Sequence, residues 1–135
     1  MNELTITAQI QSIDTVTDFI NEELDAIECP FKARAQIDIA IDELFGNIAR
    51  YAYYPETGEA TVKFELEKAP DAVKITFIDE GVPYDPMSVK DPDITLSAEK
   101  RPLGGLGIYM VKKSMDEMIY EYKDGKNILT IKKYI

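Results

Sequence analysis

Three short motifs in the chain carry residues whose types and spacing could do chemistry. The first places Glu43 and Asn47 four residues apart in the segment Glu43-Leu-Phe-Gly-Asn47. On a helix this spacing puts both side chains on one face, about one turn apart. An asparagine carbonyl suits one corner of a Mg²⁺ shell, and a neighbouring glutamate can deprotonate a nucleophile. Taken alone, the pair is also typical of an ordinary solvated helix face.

The second motif is the segment Asp79-Glu-Gly81-Val-Pro-Tyr-Asp85, which follows a predicted strand. A carboxylate just past a strand can accept a hydrogen bond from an exocyclic amine such as that of adenine, and a glycine lets another group approach the backbone closely. The alternative is a strand that simply ends in a turn, because Asp, Gly and Pro are turn residues.

The third motif is the glycine cluster Leu103-Gly104-Gly105-Leu106-Gly107-Ile108. Glycines at the start of a helix leave backbone N–H groups free to point at an anion, and the helix dipole favours phosphate there. The pattern matches neither a Walker A motif nor a dinucleotide-binding fingerprint. Three glycines in four positions weaken a helix, so the motif indicates either a phosphate loop or a flexible hinge.

The composition of the chain excludes several classes of function. Its 135 residues include 15 Lys and Arg against 25 Asp and Glu, for a net charge of −10. Such a chain is a poor ligand for nucleic acid phosphates and for anionic membrane surfaces. The absence of histidine excludes Ser-His-Asp triads, HExxH zinc sites and a histidine phosphoacceptor. We therefore expect no nucleic acid and no membrane among the partners.

Cysteine content and targeting signals predict the compartment. The single cysteine, Cys29, excludes an intrachain disulfide and a thiolate zinc cluster, and we interpret it as a small buried or capping residue. A lone cysteine fits a reducing compartment. The sequence shows no signal peptide and no apolar run of about 18 residues. We expect a cytoplasmic protein.

Hydrophobic periodicity predicts the elements that must position the three motifs. Alternating apolar residues predict strands at 3–10, 60–66, 73–78, 118–123 and 128–134, the last two joined by the turn Asp124-Gly125. Apolar residues at steps of three and four predict one helix, capped by Ser12 or Asp14, to about Glu28 and a second over Phe31–Tyr53. A short third helix should run from Gly104-Gly105 to about Met115.

The predicted order is β-α-α-β-β-loop-α-β-β, in which residues 79–103 form the long loop. Grouped strands with separate helices favour a two-layer α/β sandwich, with helices on one face of a mixed or antiparallel sheet. No linker or repeat divides the chain, so residues 1–135 should form one domain. A loop of this length inside a small domain is usually functional or mobile.

The ordered set of motifs resembles a known superfamily, the GHKL ATPases of gyrase, MutL and histidine-kinase ATP domains, whose fold is called the Bergerat fold. Within it, the chain is most similar to the small anti-sigma factor serine/threonine kinases. The resemblance covers essentially the whole chain. The matching segments are Glu43-Leu-Phe-Gly-Asn47-Ile-Ala-Arg50-Tyr-Ala-Tyr for the asparagine box, Asp79-Glu-Gly81 for the first glycine box, Gly104-Gly105-Leu-Gly107-Ile for the second, and Met115-Asp116-Glu117 for the stretch that follows it.

The resemblance implies a role for each matching residue. Glu43 would be the general base, Asn47 would be the Mg²⁺ ligand that bridges to the phosphates of ATP, and Asp79 would accept from the adenine amine. Gly81 would give the base room. The remaining cofactor-binding residues would be Arg50, Gly104, Gly105, Leu106 and Gly107.

The segment between Met87 and Leu103 would form a lid over ATP. Lys100 and Arg101 in that segment could reach a γ-phosphate, or could simply be solvated loop charges. Two residues depart from the family pattern, because Pro83 replaces a glycine of the first box and Tyr51 stands where histidine is common. Both departures concern affinity for the nucleotide.

By resemblance, the chain is an ATP- and Mg²⁺-dependent kinase that phosphorylates a serine or threonine of a STAS-type anti-sigma factor antagonist. A sigma factor and a second copy of the chain are further candidate partners. The alternative is a non-catalytic module in which the bound nucleotide only sets the conformation that grips a partner protein. Phosphotransfer activity distinguishes these two readings.

Overall fold

The computed structural model describes residues 2–88 and 106–135. The described part contains five strands and three α-helices, in the order that hydrophobic periodicity predicts. They are β1 (Asn2–Thr7), α1 (Ile13–Ala26), α2 (Phe31–Asn47), β2 (Glu59–Glu67), β3 (Ala72–Asp79), α3 (Leu106–Ser114), β4 (Glu117–Lys123) and β5 (Lys126–Tyr134).

The strands form one sheet in the order β1-β2-β3-β5-β4, and every pair of neighbours is antiparallel. The predicted two-layer α/β fold is confirmed, and of the two kinds of sheet predicted, the described strands form the antiparallel one. β3 and β5 lie side by side in the sheet although α3 and β4 separate them along the chain. Their register places Asp79, the last residue of β3, opposite Asn127 near the start of β5.

The core lies between the helices and one face of the sheet. Alternate residues of β2, β3 and β5 are buried, as expected when one face of a sheet is covered. The buried helix residues recur at steps of three or four, the spacing of one helix face. Fully buried core side chains include Val16, Ile20, Leu24, Ile37, Ile41, Phe45, Val62, Ile75, Phe77, Val111 and Ile131.

Ser12, one of the two predicted caps, is the N-cap residue of α1, but its side chain makes no capping hydrogen bond. A short 3₁₀ turn, Ile10–Ser12, precedes the helix. The hydroxyl of Ser12 instead donates to the Thr7 carbonyl oxygen at 2.6 Å. Since Thr7 is the last residue of β1, this hydrogen bond fastens the helix start to the strand end.

The second helix also departs from a single element over Phe31–Tyr53. Its α-helical part ends at Asn47, and the chain continues as one π-helical turn over Ile48–Ala52. A π turn widens the helix by one residue and is frequent at functional sites. Periodicity alone does not show this widening, because the apolar stripe continues through both parts.

The predicted loop after β3 is described only as far as residue 88. It contains a short 3₁₀ turn, Pro86–Ser88. The predicted lid beyond Met87, including Lys100 and Arg101, lies outside the described residues apart from its first positions. Among the described helices, none is long and apolar enough to cross a membrane.

Candidate functional site

A cavity of about 580 Å³ opens between α2, the end of β3 and the start of β5. This volume lies within the range of small-molecule sites in proteins. Its polar lining comes from Glu43, Asn47, Arg50, Asp79 and Asn127. Its apolar and aromatic lining comes from Leu44, Ile48, Tyr51, Ala52, Phe77, Val82, Pro83, Tyr84, Pro86, Ile108, Tyr120 and Leu129.

The helix α2 supplies Glu43 and Asn47 to one wall of this cavity, as their spacing predicts. Ile37 and Ile41 on the same helix are fully buried in the core, which fixes the rotation of α2 and turns the two polar residues toward the cavity. Arg50 reaches the same wall from the π turn. The helix therefore presents an acid, an amide and a guanidinium to one space.

Glu43 also contacts the beginning of α3. A Cβ atom at Gly107 would lie 2.0 Å from the carboxyl carbon of Glu43 and 2.2 Å from each of its oxygens. Real Cβ atoms do not approach that closely, so only glycine at position 107 lets the carboxylate sit there. The first and third sequence motifs thus meet in the fold.

Asp79 is a buried carboxylate at the opposite side of the cavity, only 5% exposed. Its Oδ1 accepts the Gly81 N–H and an Asn127 amide N–H, each at 2.9 Å. No described residue donates a hydrogen bond to Oδ2. Burial raises the pKa of the Asp79 carboxyl above its ordinary value, while the hydrogen bonds from Asn127 and Gly81 lower it in part.

Gly81 makes its close approach to protein backbone. A Cβ atom there would lie 2.2 Å from the Ala52 carbonyl oxygen, which also accepts the Val82 N–H at 3.0 Å. The glycine therefore lets the loop after β3 pack on the π turn. That it also gives a base room stays a prediction, because Gly81 is not among the described residues that line the cavity.

Asn127 is a site residue that the sequence motifs do not reveal. Its side chain is 5% exposed and lines the cavity beside Asp79. A signal was present, because Asn127 occupies an inward-facing position of a strand whose next inward residues are Leu129 and Ile131. A polar residue at an inward-facing position among apolar ones, close to a predicted site, indicates that its side chain acts in that site.

Several tyrosines also line the cavity, and no role was predicted from the sequence for Tyr84 or Tyr120. Tyr84 and Tyr120 line it, as do Tyr51 and Pro83, the two positions that depart from the family pattern. Burial raises the pKa of the Tyr84 phenol above its ordinary value, and the nearby carboxylates of Glu43 and Asp85 act in the same direction. Proline has more apolar atoms than glycine, and tyrosine has more than histidine. The two departures therefore add apolar surface to the cavity wall.

The glycine cluster is only partly described. Gly104 and Gly105 lie outside the described residues, Leu106 begins α3, and Gly107 contacts Glu43. Within residues 2–88 and 106–135, no group of three or more His, Cys, Asp or Glu side chains could hold a metal ion. Asn47 in the cavity wall has a neutral hard oxygen of the kind that suits Mg²⁺.

The comparison with known families agrees with this geometry. A family described as "Histidine kinase-like ATPase domain" matches residues 6–133, a span that contains all the cavity residues. Curated relatives named "Serine-protein kinase RsbW" are similar to the chain over 98 residues, which is 70% of this chain and 60% of each relative. They include proteins of Bacillus cereus strain G9842 (36% identical), Bacillus cereus strain ATCC 10987 / NRS 248 (35%) and Bacillus mycoides strain KBAB4 (34%).

The matched region thus spans about three fifths of the length of those relatives. The family match extends over nearly the whole chain, and the fold and the ordered motifs agree with it. The chain belongs to the family of histidine kinase-like ATPase domains.

Proposed function

We propose that this chain is an ATP-dependent protein kinase domain that phosphorylates serine or threonine in a partner protein. One observation carries the proposal: a single cavity is lined by Glu43, Asn47 and Arg50 on one side and by Asp79 on the other. The names of the relatives, serine-protein kinases, support the same activity. Residues 1–135 are proposed to form one domain.

The adenine end of the cavity is assigned to Asp79. A buried carboxylate needs hydrogen-bond donors, and the described part of the chain supplies them only to Oδ1. An exocyclic amine of a base would satisfy Oδ2. The apolar neighbours, such as Phe77 and Leu129, suit the flat faces of a purine ring.

The phosphate end is assigned to α2 and to the glycine cluster. Asn47 offers a neutral oxygen to Mg²⁺, and Arg50 offers a guanidinium to phosphate oxygens. Gly104, Gly105, Leu106 and Gly107 are proposed to shape the phosphate loop that leads into α3. When bound, Mg²⁺–ATP supplies the γ-phosphoryl group that is transferred.

Glu43 is proposed to be the general base. Its carboxylate would take the proton of the acceptor hydroxyl while that oxygen bonds to the γ-phosphorus and the bond to the leaving phosphate breaks. Phosphoryl transfer of this kind depends mainly on positioning and on charge neutralisation. The missing side chain at Gly107 leaves room for the Glu43 carboxylate beside the start of α3, where the transfer would occur.

The proposed substrate is a STAS-type anti-sigma factor antagonist. A sigma factor and a second copy of the chain are the further proposed partners, and the cytoplasm is the proposed compartment. The net charge of −10 supports protein partners over nucleic acid.

The test is transfer of radiolabelled phosphate from ATP and Mg²⁺ to a STAS-domain protein from the same cell. Acid hydrolysis of the product should release phosphoserine or phosphothreonine. If the chain binds both ATP and the partner but transfers no phosphate, the domain is a nucleotide-dependent binding module, and the kinase proposal fails.

A further inference from the structure

Asn127 makes an unusually complete set of hydrogen bonds at the centre of the site. Its Nδ2 donates to Asp79 Oδ1 and to the Val82 carbonyl oxygen, both at 2.9 Å, and lies at a longer 3.5 Å from the Gly81 carbonyl oxygen. Its Oδ1 accepts the Tyr84 N–H at 3.0 Å and the Tyr120 hydroxyl at 2.5 Å. One buried side chain thus joins the end of β3, the loop after it, β4 and β5.

These bonds use the whole hydrogen-bonding capacity of the amide. An asparagine side chain has two N–H donors and one oxygen with two lone pairs, and the four bonds occupy all of them. Asn127 therefore has no group left to bind a nucleotide directly. Its effect on a ligand must pass through the groups that it holds, of which Asp79 is the charged one.

We propose that Asn127 is a positioning residue that sets the base selectivity of the cavity by fixing Asp79. By holding Oδ1, the Asn127 amide leaves Oδ2 as the acceptor for an exocyclic amine. This inference rests on the proposed function, because it takes Asp79 to be the group that reads adenine.

The same hydrogen bond keeps Asp79 an acceptor. A donor to the carboxylate stabilises its ionised form, whereas burial favours the neutral form. Without the amide, the buried carboxyl would protonate more readily and could rotate. A protonated carboxyl can donate to the carbonyl oxygen that guanine carries in place of the adenine amine. Loss of the Asn127 amide should therefore reduce the preference for ATP over GTP.

The phenols around Asp79 do not imitate this effect near neutral pH. Burial raises the pKa of the phenols of Tyr53, Tyr84 and Tyr120 above their ordinary value, so they stay neutral. The other carboxylates that act on these phenols are Glu80 and Glu59 at Tyr53, Glu43 at Tyr84, and Asp85 at both Tyr84 and Tyr120.

The experiment measures the dissociation constants of ATP and GTP by calorimetry, with Mg²⁺ and the full chain, between pH 5.5 and 8.5. ATP and GTP carry the same triphosphate group. The effect of its ionisation on binding therefore cancels in the ratio of the two dissociation constants. The variants are Asn127→Leu, which removes the amide at similar size, and Asn127→Asp. The control is Thr130→Val on the opposite face of β5, where the Thr130 hydroxyl lies 3.4 Å from that of Thr76.

We expect the parent and Thr130→Val to bind ATP more tightly than GTP. In Asn127→Leu the ratio of the GTP to the ATP dissociation constant should be about tenfold lower. In Asn127→Asp the new carboxyl group faces Asp79, so the pair resists double ionisation. On protonation, that group can donate to Asp79 Oδ1 and restore the lost bond. The ATP preference of this variant should therefore rise as pH falls, whereas that of the parent should not.

Two results would overturn the inference while leaving the ATP site intact. One is a folded Asn127→Leu variant that keeps the ATP preference of the parent. The other, decisive if that variant does not fold, is an Asn127→Asp variant whose pH profile matches the parent. A parent chain that binds GTP as well as ATP would instead refute the assignment of Asp79, and the inference with it.

Discussion

The carboxylate of Glu43 lies against the backbone of Gly107, so close that a side chain at position 107 would have to displace it. This contact joins α2 to α3 and explains why a glycine occupies the second position of the helix. Glycine inside a helix costs about 1 kcal/mol relative to alanine. The fold tolerates that cost because the Glu43 carboxylate occupies the space of the missing side chain.

Inside a helix, alanine is usually more stabilising than glycine by about 1 kcal/mol. Gly107→Ala should fall short of this gain, because its Cβ must displace the Glu43 carboxylate, the end of a flexible side chain. The full gain should return when Gly107→Ala is made together with Glu43→Ala. Urea unfolding of the four members of this double-mutant cycle measures the coupling. An equal effect of Gly107→Ala in both backgrounds would show that the contact with Glu43 does not explain the glycine.

Gly81→Ala should be harmful, because its Cβ would lie 2.2 Å from the Ala52 carbonyl oxygen. The loop would have to move away from the π turn and lose the bond from the Val82 N–H. We expect a loss of about 1–3 kcal/mol of stability and weaker binding of ATP. Gly46→Ala is the control, since its Cβ would meet only the end of the Arg50 side chain, at 3.0 Å. A Gly81→Ala chain as stable as Gly46→Ala contradicts this explanation.

Asp79→Asn should separate stability from binding. An amide oxygen at this position can accept the same two bonds from Gly81 and Asn127, and the substitution removes a buried charge. The variant should be at least as stable as the parent at pH 7, yet bind ATP more weakly by about 1–3 kcal/mol. Urea unfolding and calorimetry give the two quantities. Lower stability together with unchanged ATP affinity would reverse both expectations.

The raised pKa of Asp79 also predicts in which direction the free energy of unfolding changes with pH. A buried carboxyl with a raised pKa binds its proton more tightly in the folded chain than in the unfolded one. Its contribution to the free energy of unfolding is therefore full at low pH. The contribution declines as pH rises from the ordinary aspartate pKa through the raised one. The difference in stability between Asp79→Asn and the parent should widen over the same interval, and a difference independent of pH would contradict the assigned cause.

Asn47→Ala should weaken ATP binding only when Mg²⁺ is present. Asn47 lines the cavity one helical turn from Glu43, and its oxygen is proposed to be a metal ligand. Calorimetry in Mg²⁺ and again in excess chelator compares the variant with the parent. An equal loss of affinity under both conditions would mean that Asn47 contacts the nucleotide rather than the metal.

Much of this architecture follows from local patterns. Alternation along 60–66 and 73–78 predicted β2 and β3, and the four-residue spacing of Glu43 and Asn47 placed both on the cavity wall. Asp79 was predicted to be a site residue because it comes at the end of a predicted strand, and it lines the cavity as the last residue of β3. These features depend on residues that are near one another in the sequence.

The features that sequence patterns missed depend on pairing between distant segments. The role of Asn127 arises only because β5 lies beside β3, with Asn127 opposite Asp79. One difference is local: Ser12 is the N-cap residue of α1, but its hydroxyl donates to the Thr7 carbonyl oxygen and makes no capping hydrogen bond. The π turn over Ile48–Ala52 packs against the loop at Gly81, a contact between segments about 30 residues apart.

The most direct test of the proposed mechanism is the single-turnover rate of phosphate transfer from ATP to the partner protein, for the parent and for Glu43→Gln. The substitution keeps the size of the side chain but removes the base. Glu22→Gln, at an exposed position of α1, is the matched control. The mechanism predicts that Glu43→Gln lowers the rate by roughly 10²–10⁴, with ATP affinity near that of the parent and Glu22→Gln unchanged. A Glu43→Gln rate equal to that of the parent would contradict the assignment of Glu43 as the general base.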